Sequence, residues 1–220
     1  MRKTFQEHMK DLEGEVIEMG EMVARAIKRS IAALKERDLE EAERIIADDA
    51  QIDAKRWNIE EKCINLIATQ QPVATDLRTI IALLSIIVDL ERMGDHAEGI
   101  AKIVLKLGKG SLVKPLVDIP RMAEKGIDML RRSLKAFINR DVDEAIRICD
   151  EDDEVDMLYD QVYRELLTFM LEDPRLITRA TYLIWVAHNL ERIADRVTNI
   201  CERIVFLVKG RMEEINVSKY

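Results

Sequence analysis

The sequence predicts an all-α fold: two tandem three-helix bundles, six long helices related by an internal repeat. Three observations predict it. Glycine and proline are scarce, 8 and 4 in 220 residues, while 48% of residues are hydrophobic and 35% charged. That balance favours long helices with apolar seams and charged outer faces. Second, Arg37-Asp38-Leu39-Glu40-Glu41-Ala42-Glu43-Arg44-Ile45 reads like Arg140-Asp141-Val142-Asp143-Glu144-Ala145-Ile146-Arg147-Ile148, an offset of 103 residues. Third, Leu90-Glu91-Arg92-Met93-Gly94-Asp95 reads like Leu190-Glu191-Arg192-Ile193-Ala194-Asp195, an offset of 100. Three residues are therefore lost between the two matches, and the loops at Gln71-Pro72 and Asp173-Pro174 can absorb the difference.

The first helix runs from about Phe5 to Glu36. Phe5, Met9, Leu12, Val16, Met19, Val23, Ala26, Ser30 and Ala33 alternate spacings of four and three, the seam of a coiled coil. Asp38 with Glu41 then resembles a capping box with Asp in place of Ser or Thr, and Asp141 with Glu144 repeats it. Each box opens a second helix, ending near Gln70 and Leu171. Pro72 and Pro174 interrupt the chain there, and Pro174 suits the first turn of a new helix. The third helices run from about Thr75 to Leu107 and from Pro174 to Val208. Between the halves lie Gly108, Gly110, Pro115 and Pro120, residues that end one helix and prevent its continuation. The predicted halves are residues 1–110 and 111–220. No stretch reads as a strand.

A net charge of −8 without a basic stripe argues against binding nucleic acid or docking on an anionic membrane. The start, Met1-Arg2-Lys3-Thr4-Phe5, leads into charged residues rather than a signal-peptide core. The longest apolar run, Ile80 to Val88, is too short to span a bilayer. Cys63, Cys149 and Cys201 form no C-x-x-C pair and read as buried small residues in a reducing compartment. The expected location is the cytoplasm.

The informative residues are carboxylates on faces that otherwise carry apolar side chains. The seam Ala145, Ile148, Asp152, Val155, Tyr159, Val162, Leu166, Phe169 contains one acid, and Asp156 lies one turn beyond it. Asp49 and Asp53 are the matching pair in the first half. Leu77, Ile81, Leu84 and Val88 form a stripe that Glu91 and Asp95 continue; Ile177, Thr181, Ile184 and His188 form another that Glu191 and Asp195 continue. Residues four apart share a helix face, so each half places two acid pairs on neighbouring helices. Two like charges about 4 Å apart repel by roughly 4 kcal/mol at an effective dielectric near 20, and desolvation adds to this.

Protonation, an arginine partner or a metal cation would relieve the strain. Arg92 and Arg192 follow their glutamates directly, and adjacent helical residues diverge by about 100°, so they are expected to be poorly placed; Arg44, Arg147 or another arginine could serve. A hard oxygen site suits Mg, Mn or iron better than a Cys/His zinc centre does, and metal binding is the preferred reading over an arginine network or solvated acids. His188 reads as a hydrogen-bonded core histidine rather than a ligand, His96 as a surface residue, and Trp57 and Trp185 as core. His8 carries no signal.

Glu91-Arg92-Met93-Gly94-Asp95-His96 and Glu191-Arg192-Ile193-Ala194-Asp195-Arg196, the latter continued by Asn199-Ile200-Cys201-Glu202, resemble the duplicated E-R-x-G-D signature of PhoU proteins. Gln71-Pro72-Val73-Ala74-Thr75-Asp76-Leu77-Arg78 resembles that family's turn. The resemblance covers the chain from the first seam to Lys209. It implies paired three-helix bundles and metal sites at Asp49, Asp53, Glu91 and Asp95 and at Asp152, Asp156, Glu191 and Asp195. The ion would be divalent or trivalent: iron, Mg, Mn or Zn, its identity open. It also implies a cytoplasmic negative regulator of the phosphate-starvation response. Such a regulator bridges the ATPase subunit of a phosphate ABC importer and a sensor histidine kinase.

One departure is Ala194 where the signature prefers glycine; a methyl there is expected to crowd the helix approach. A homodimer is expected, because long apolar seams invite association. The competing reading is a di-metal carboxylate enzyme on a helical bundle, but such sites use Glu-x-x-His, and no Glu here has a His three residues later. Without a nucleophile–base constellation or a phosphate-binding glycine loop, a binding protein is expected rather than an enzyme.

Overall fold

The computed structural model describes the backbone of residues 2–211 and side chains from Phe5 onward. Residues 1–4 of the signal-peptide argument and the far end of the second half fall partly or wholly outside that range. The helices are α1 (Arg2–Glu36), α2 (Leu39–Gln70), α3 (Ala74–Leu107), α4 (Asp118–Asn139), α5 (Val142–Asp150), α6 (Asp152–Glu172) and α7 (Ile177–Lys209). A 3-10 turn at Pro174–Leu176 precedes α7, with Pro174 in its first position. No strand occurs among the described residues. The fold is the predicted pair of three-helix bundles, with one difference. The expected fifth helix is interrupted at Glu151, leaving α5 and α6, and Asp152, Asp153 and Glu154 form the acidic first turn of α6. Acidic side chains suit a helix start, where backbone N–H groups are unpaired.

Both predicted caps form on one side only. Asp38 accepts from the Glu41 N–H and Asp141 from the Glu144 N–H, each at 3.0 Å. The glutamates turn away from the box. Glu41 receives Arg29 at 2.5 Å and Arg44 at 2.8 Å; Glu144 receives Arg132 at 2.7 Å and Arg147 at 2.9 Å. Arg29 also reaches Asp48, and Arg132 reaches Glu151, so each half repeats the same latch between its first and second helices. The α1 seam is buried apart from half-buried Met9 and Ala26. Its polar member Ser30 donates to Ile27 O, as Ser133 does to Leu130 O in α4.

The two halves share one hydrophobic core. α3 and α7 lie side by side, α2 flanks α3, and α5 and α6 flank α7. α1 rests on α2 and α3, α4 on α5, α6 and α7, and α1 meets α4. Gly20 makes that last approach close, since a methyl there would meet Leu134 Cδ1. α3 and α7 run antiparallel: Arg179, near the start of α7, donates to Leu107 O at the end of α3. Along their seam Asp89 receives Arg196 at 3.3 Å and Asn199 at 3.1 Å, while His96 meets Asn189 at 2.9 Å. Exchanging the halves swaps these polar contacts. His96 is thus half-buried at the seam rather than on the surface, and burial lowers its pKa.

The apolar stripe Leu77, Ile81, Val88 does not face the core; all three are exposed, and Leu84 is half-buried. The core face of α3 is Ile80, Leu83, Ile87 and Leu90. α3 is apolar around most of its circumference, so periodicity could not choose between two faces. Trp57 and Trp185 are likewise surface residues, 61% and 47% exposed. All three cysteines are buried, and none is in a disulfide. The fold brings Cys149 against Cys201, whose thiol is hydrogen-bonded to it.

Candidate metal centres

The first acid cluster is built from α2 and α3. Asp49 and Asp53 stand one turn apart on α2, Glu91 and Asp95 one turn apart on α3. Burial, Glu98, Asp53 and Asp95 raise the Asp49 pKa to about 6. Burial, Asp95 and Asp53 raise that of Glu91. The second cluster is deeper. Asp152 is only 5% exposed, and burial with Asp156, Asp195 and Glu191 raises its pKa to about 7. Glu191 is raised to about 7 by burial and by Asp195. Burial and Asp195 raise Asp156, and burial raises Asp195. These mutual effects put the four acids of each half within electrostatic reach of one another, as two quartets. The outer face of the helix layer is the side turned away from α1 and α4, and Trp57 on α2 and Trp185 on α7 are exposed.

The arginines correct one expectation. Arg92 folds back along α3 to reach Glu91 at 3.5 Å and Asp95 at 2.9 Å. Arg192 does the same with Glu191 at 3.1 Å and Asp195 at 2.9 Å. The Cα directions of neighbours diverge, but a long, half-exposed guanidinium stem can bridge positions i−1 and i+3 along the helix surface. Arg44 and Arg147 instead serve the caps. Neutralisation is incomplete: Asp152 Oδ1 and Glu191 Oε2 are buried without a hydrogen-bond partner, although the latter lies within ion-pair distance of Arg192. Among the described residues, no three Asp, Glu, His or Cys side chains are grouped so that they could hold a metal ion as they stand.

Ala194 does not crowd its neighbour as expected. A methyl on Gly94 would lie 3.1 Å from Ile52 Cδ1 and 3.2 Å from Asp49 Oδ1. In the second half Val155 stands where Ile52 does and has no Cδ1, so the methyl of Ala194 is accommodated in the core. Glu98 escaped the motif reading because Thr198 replaces it in the repeat. It lines a cavity of about 110 Å³ beneath Asp49, beside Arg25, Arg29 and Gly94. His188 is also not in the core. Its side chain is 48% exposed, with Nδ1 3.4 Å from Glu191 Oε2.

The fold is that of a duplicated all-helical protein with a related acid cluster in each half, and no helix among the described residues is long and apolar enough to cross a membrane. The PhoU domain matches residues 16–104 and again residues 119–204. The chain belongs to the PhoU family. It is 40% identical to a protein of Clostridium acetobutylicum named as a phosphate-specific transport system accessory protein PhoU homolog, over 98% of this chain and 99% of that one. Its fold matches the crystal structure of PhoU from Pseudomonas aeruginosa with a TM-score of 0.88 at 34% identity, covering 94% of this chain and 100% of that one. The phosphate transport system regulatory protein PhoU from Streptococcus pneumoniae matches equally, with a TM-score of 0.88 at 34% identity over 95% and 99% of the two chains.

Proposed function

We propose that this chain is a non-enzymatic adaptor of a phosphate transport system. It links the ATPase subunit of a phosphate ABC importer to a sensor histidine kinase in the cytoplasm, and so restrains phosphate uptake and the phosphate-starvation response. Its relatives are named as accessory proteins of phosphate-specific transport, which supports the transport side of this reading. The observation that carries it is the outer face of the helix layer. Trp57, Ile64, Leu77, Ile81 and Trp185 are exposed on α2, α3 and α7, helices that also carry the acids, and exposed aromatics on charged helices are the marks of a partner surface rather than a substrate cleft. A homodimer is the proposed working form.

The same reading assigns a metal to each quartet: Asp49, Asp53, Glu91 and Asp95 in the first half, Asp152, Asp156, Glu191 and Asp195 in the second. The donor set is all carboxylate, and the orphaned Asp152 Oδ1 fits a cation better than it fits water exclusion. A bound cation would supply the positive charge that Arg92 and Arg192 supply only in part. Those arginines hold the carboxylates of α3 and α7 in place.

The test joins genetics to binding. Deleting the gene should leave phosphate-starvation genes on in rich phosphate. Charge reversal at exposed positions of the outer face should do the same with the melting temperature unchanged. Pull-down with the importer ATPase subunit and the sensor kinase should then fail for those variants and succeed for the native chain. Retention of neither partner by the native chain, together with normal regulation in the deletion strain, would sink the adaptor reading. Metal analysis of protein purified without chelator or affinity tag tests the quartets separately.

A further inference from the structure

Outside their four carboxylates the two quartets differ. Under the offset of 100 that relates α3 to α7, Val88 corresponds to His188; under the offset of 103 that relates α2 to α6, Arg56 corresponds to Tyr159. In the first half Arg56 reaches Glu60 at 3.4 Å, and its charge acts on Glu91. Val88 offers no donor atom. In the second half the imidazole of His188 lies one turn before Glu191 and two before Asp195 on one face of α7. Its Nδ1 is 3.4 Å from Glu191 Oε2, and its ring tilts against Tyr159 with centroids 6.1 Å apart. Tyr159 itself stands on α6 one turn beyond Asp156, so the ring contact ties the histidine to the helix that carries the other two acids. At the foot of the same quartet the carboxylate oxygen Asp152 Oδ1 is buried with no partner, on a residue 5% exposed.

We infer that His188 makes the second quartet a mixed nitrogen and oxygen site that selects a borderline transition-metal ion over Mg2+, while the first quartet stays an oxygen-only site. The inference rests on the reading of the quartets as cation sites. Imidazole suits Zn, Fe, Ni and Cu, whereas Mg2+ keeps oxygen ligands and several waters. The first half lacks the nitrogen and carries a guanidinium nearby, which weakens its hold on any cation. The repeat has thus diverged into two sites of different selectivity, and the difference lies in residues beside the shared acids rather than in them. Tyr159 is the positioning residue, acting through the ring of His188.

The test uses the full chain stripped of metal and titrated with Co2+, whose visible spectrum reports nitrogen ligation. The native chain is expected to bind one Co2+ that about a hundredfold excess of Mg2+ does not displace. His188→Val, which installs the residue of the first half at an exposed position, is expected to lower Co2+ affinity at least about tenfold, to shift the Co2+ absorption band, and to leave Mg2+ binding and helix content unchanged. Co2+ binding that keeps its Mg2+ resistance and its spectrum in His188→Val overturns the inference while leaving the cation sites intact. A native chain that binds neither Co2+ nor Mg2+ takes down the cation-site reading and this inference with it.

Discussion

Replacing Asp152 with Asn should stabilise the metal-free protein, and the size of the gain should depend on pH. The Asp152 pKa stands at about 7 against an ordinary 3.8, raised first by burial and then by Asp156, Asp195 and Glu191. A rise of about three units corresponds to about 4 kcal/mol at about 1.4 kcal/mol per unit. The native state therefore holds a proton up to about pH 7 that the unfolded chain releases near 3.8. Between those values the folded chain binds more protons, so stability falls as pH rises, and the full cost of the charge is felt only above pH 7.

Asn removes the charge but leaves a buried amide to be satisfied, which takes back about 1–3 kcal/mol. The expected net gain at pH 8 in chelator is about 1–3 kcal/mol. For a chain of this size that is a rise in melting temperature of about 3–10 °C. At pH 5 only about 1.6 kcal/mol of the cost remains, from ionisation of the unfolded chain, and the amide's own cost cancels it, so the gain should vanish. With a divalent cation present at pH 8 the order should reverse, because the native chain keeps a ligand the variant has lost. Calorimetric melts at two pH values, with and without metal, read all of this. Equal melting at pH 8 in chelator, or a gain that persists undiminished at pH 5, refutes the argument that a buried charge strains this site.

Three further outcomes follow from the packing. Gly94→Ala should destabilise the protein by about 1–2 kcal/mol, because its methyl would meet Ile52 Cδ1 at 3.1 Å; adding Ile52→Val, which reproduces the Ala194–Val155 pair, should recover most of that in a double-mutant cycle of denaturant melts. Asp38→Ala and Asp141→Ala should each cost about 1 kcal/mol through the lost N-cap bond, and their effects should add because the caps lie in different halves. Trp57→Ala and Trp185→Ala should change stability by less than about 0.5 kcal/mol, since both rings are exposed, while weakening capture of the transporter ATPase subunit or the kinase in pull-down.

The sequence by itself determined the helices, their breaks and their duplication. Asp38, Asp141, Pro72 and Pro174 act through the backbone of the next few residues, and the α1 seam acts through a period that only a helix satisfies. It also determined which acids share a helix face, because a spacing of four fixes a shared face whatever surrounds it. The tertiary structure alone decided which side of α3 and α7 is inside. Both helices are apolar on more than one face, so Leu77 and Trp185 could be read as core until α1 and α4 were seen to cover the opposite side. It decided the arginine partners too, since the reach of a flexible side chain such as Arg92 is not set by the angle of its Cα. And it decided how the surroundings of the two acid quartets differ. The depth of Asp152, the ring contact of His188 with Tyr159 and the missing Cδ1 opposite Ala194 depend on contacts between residues far apart in the chain, where no local rule reaches.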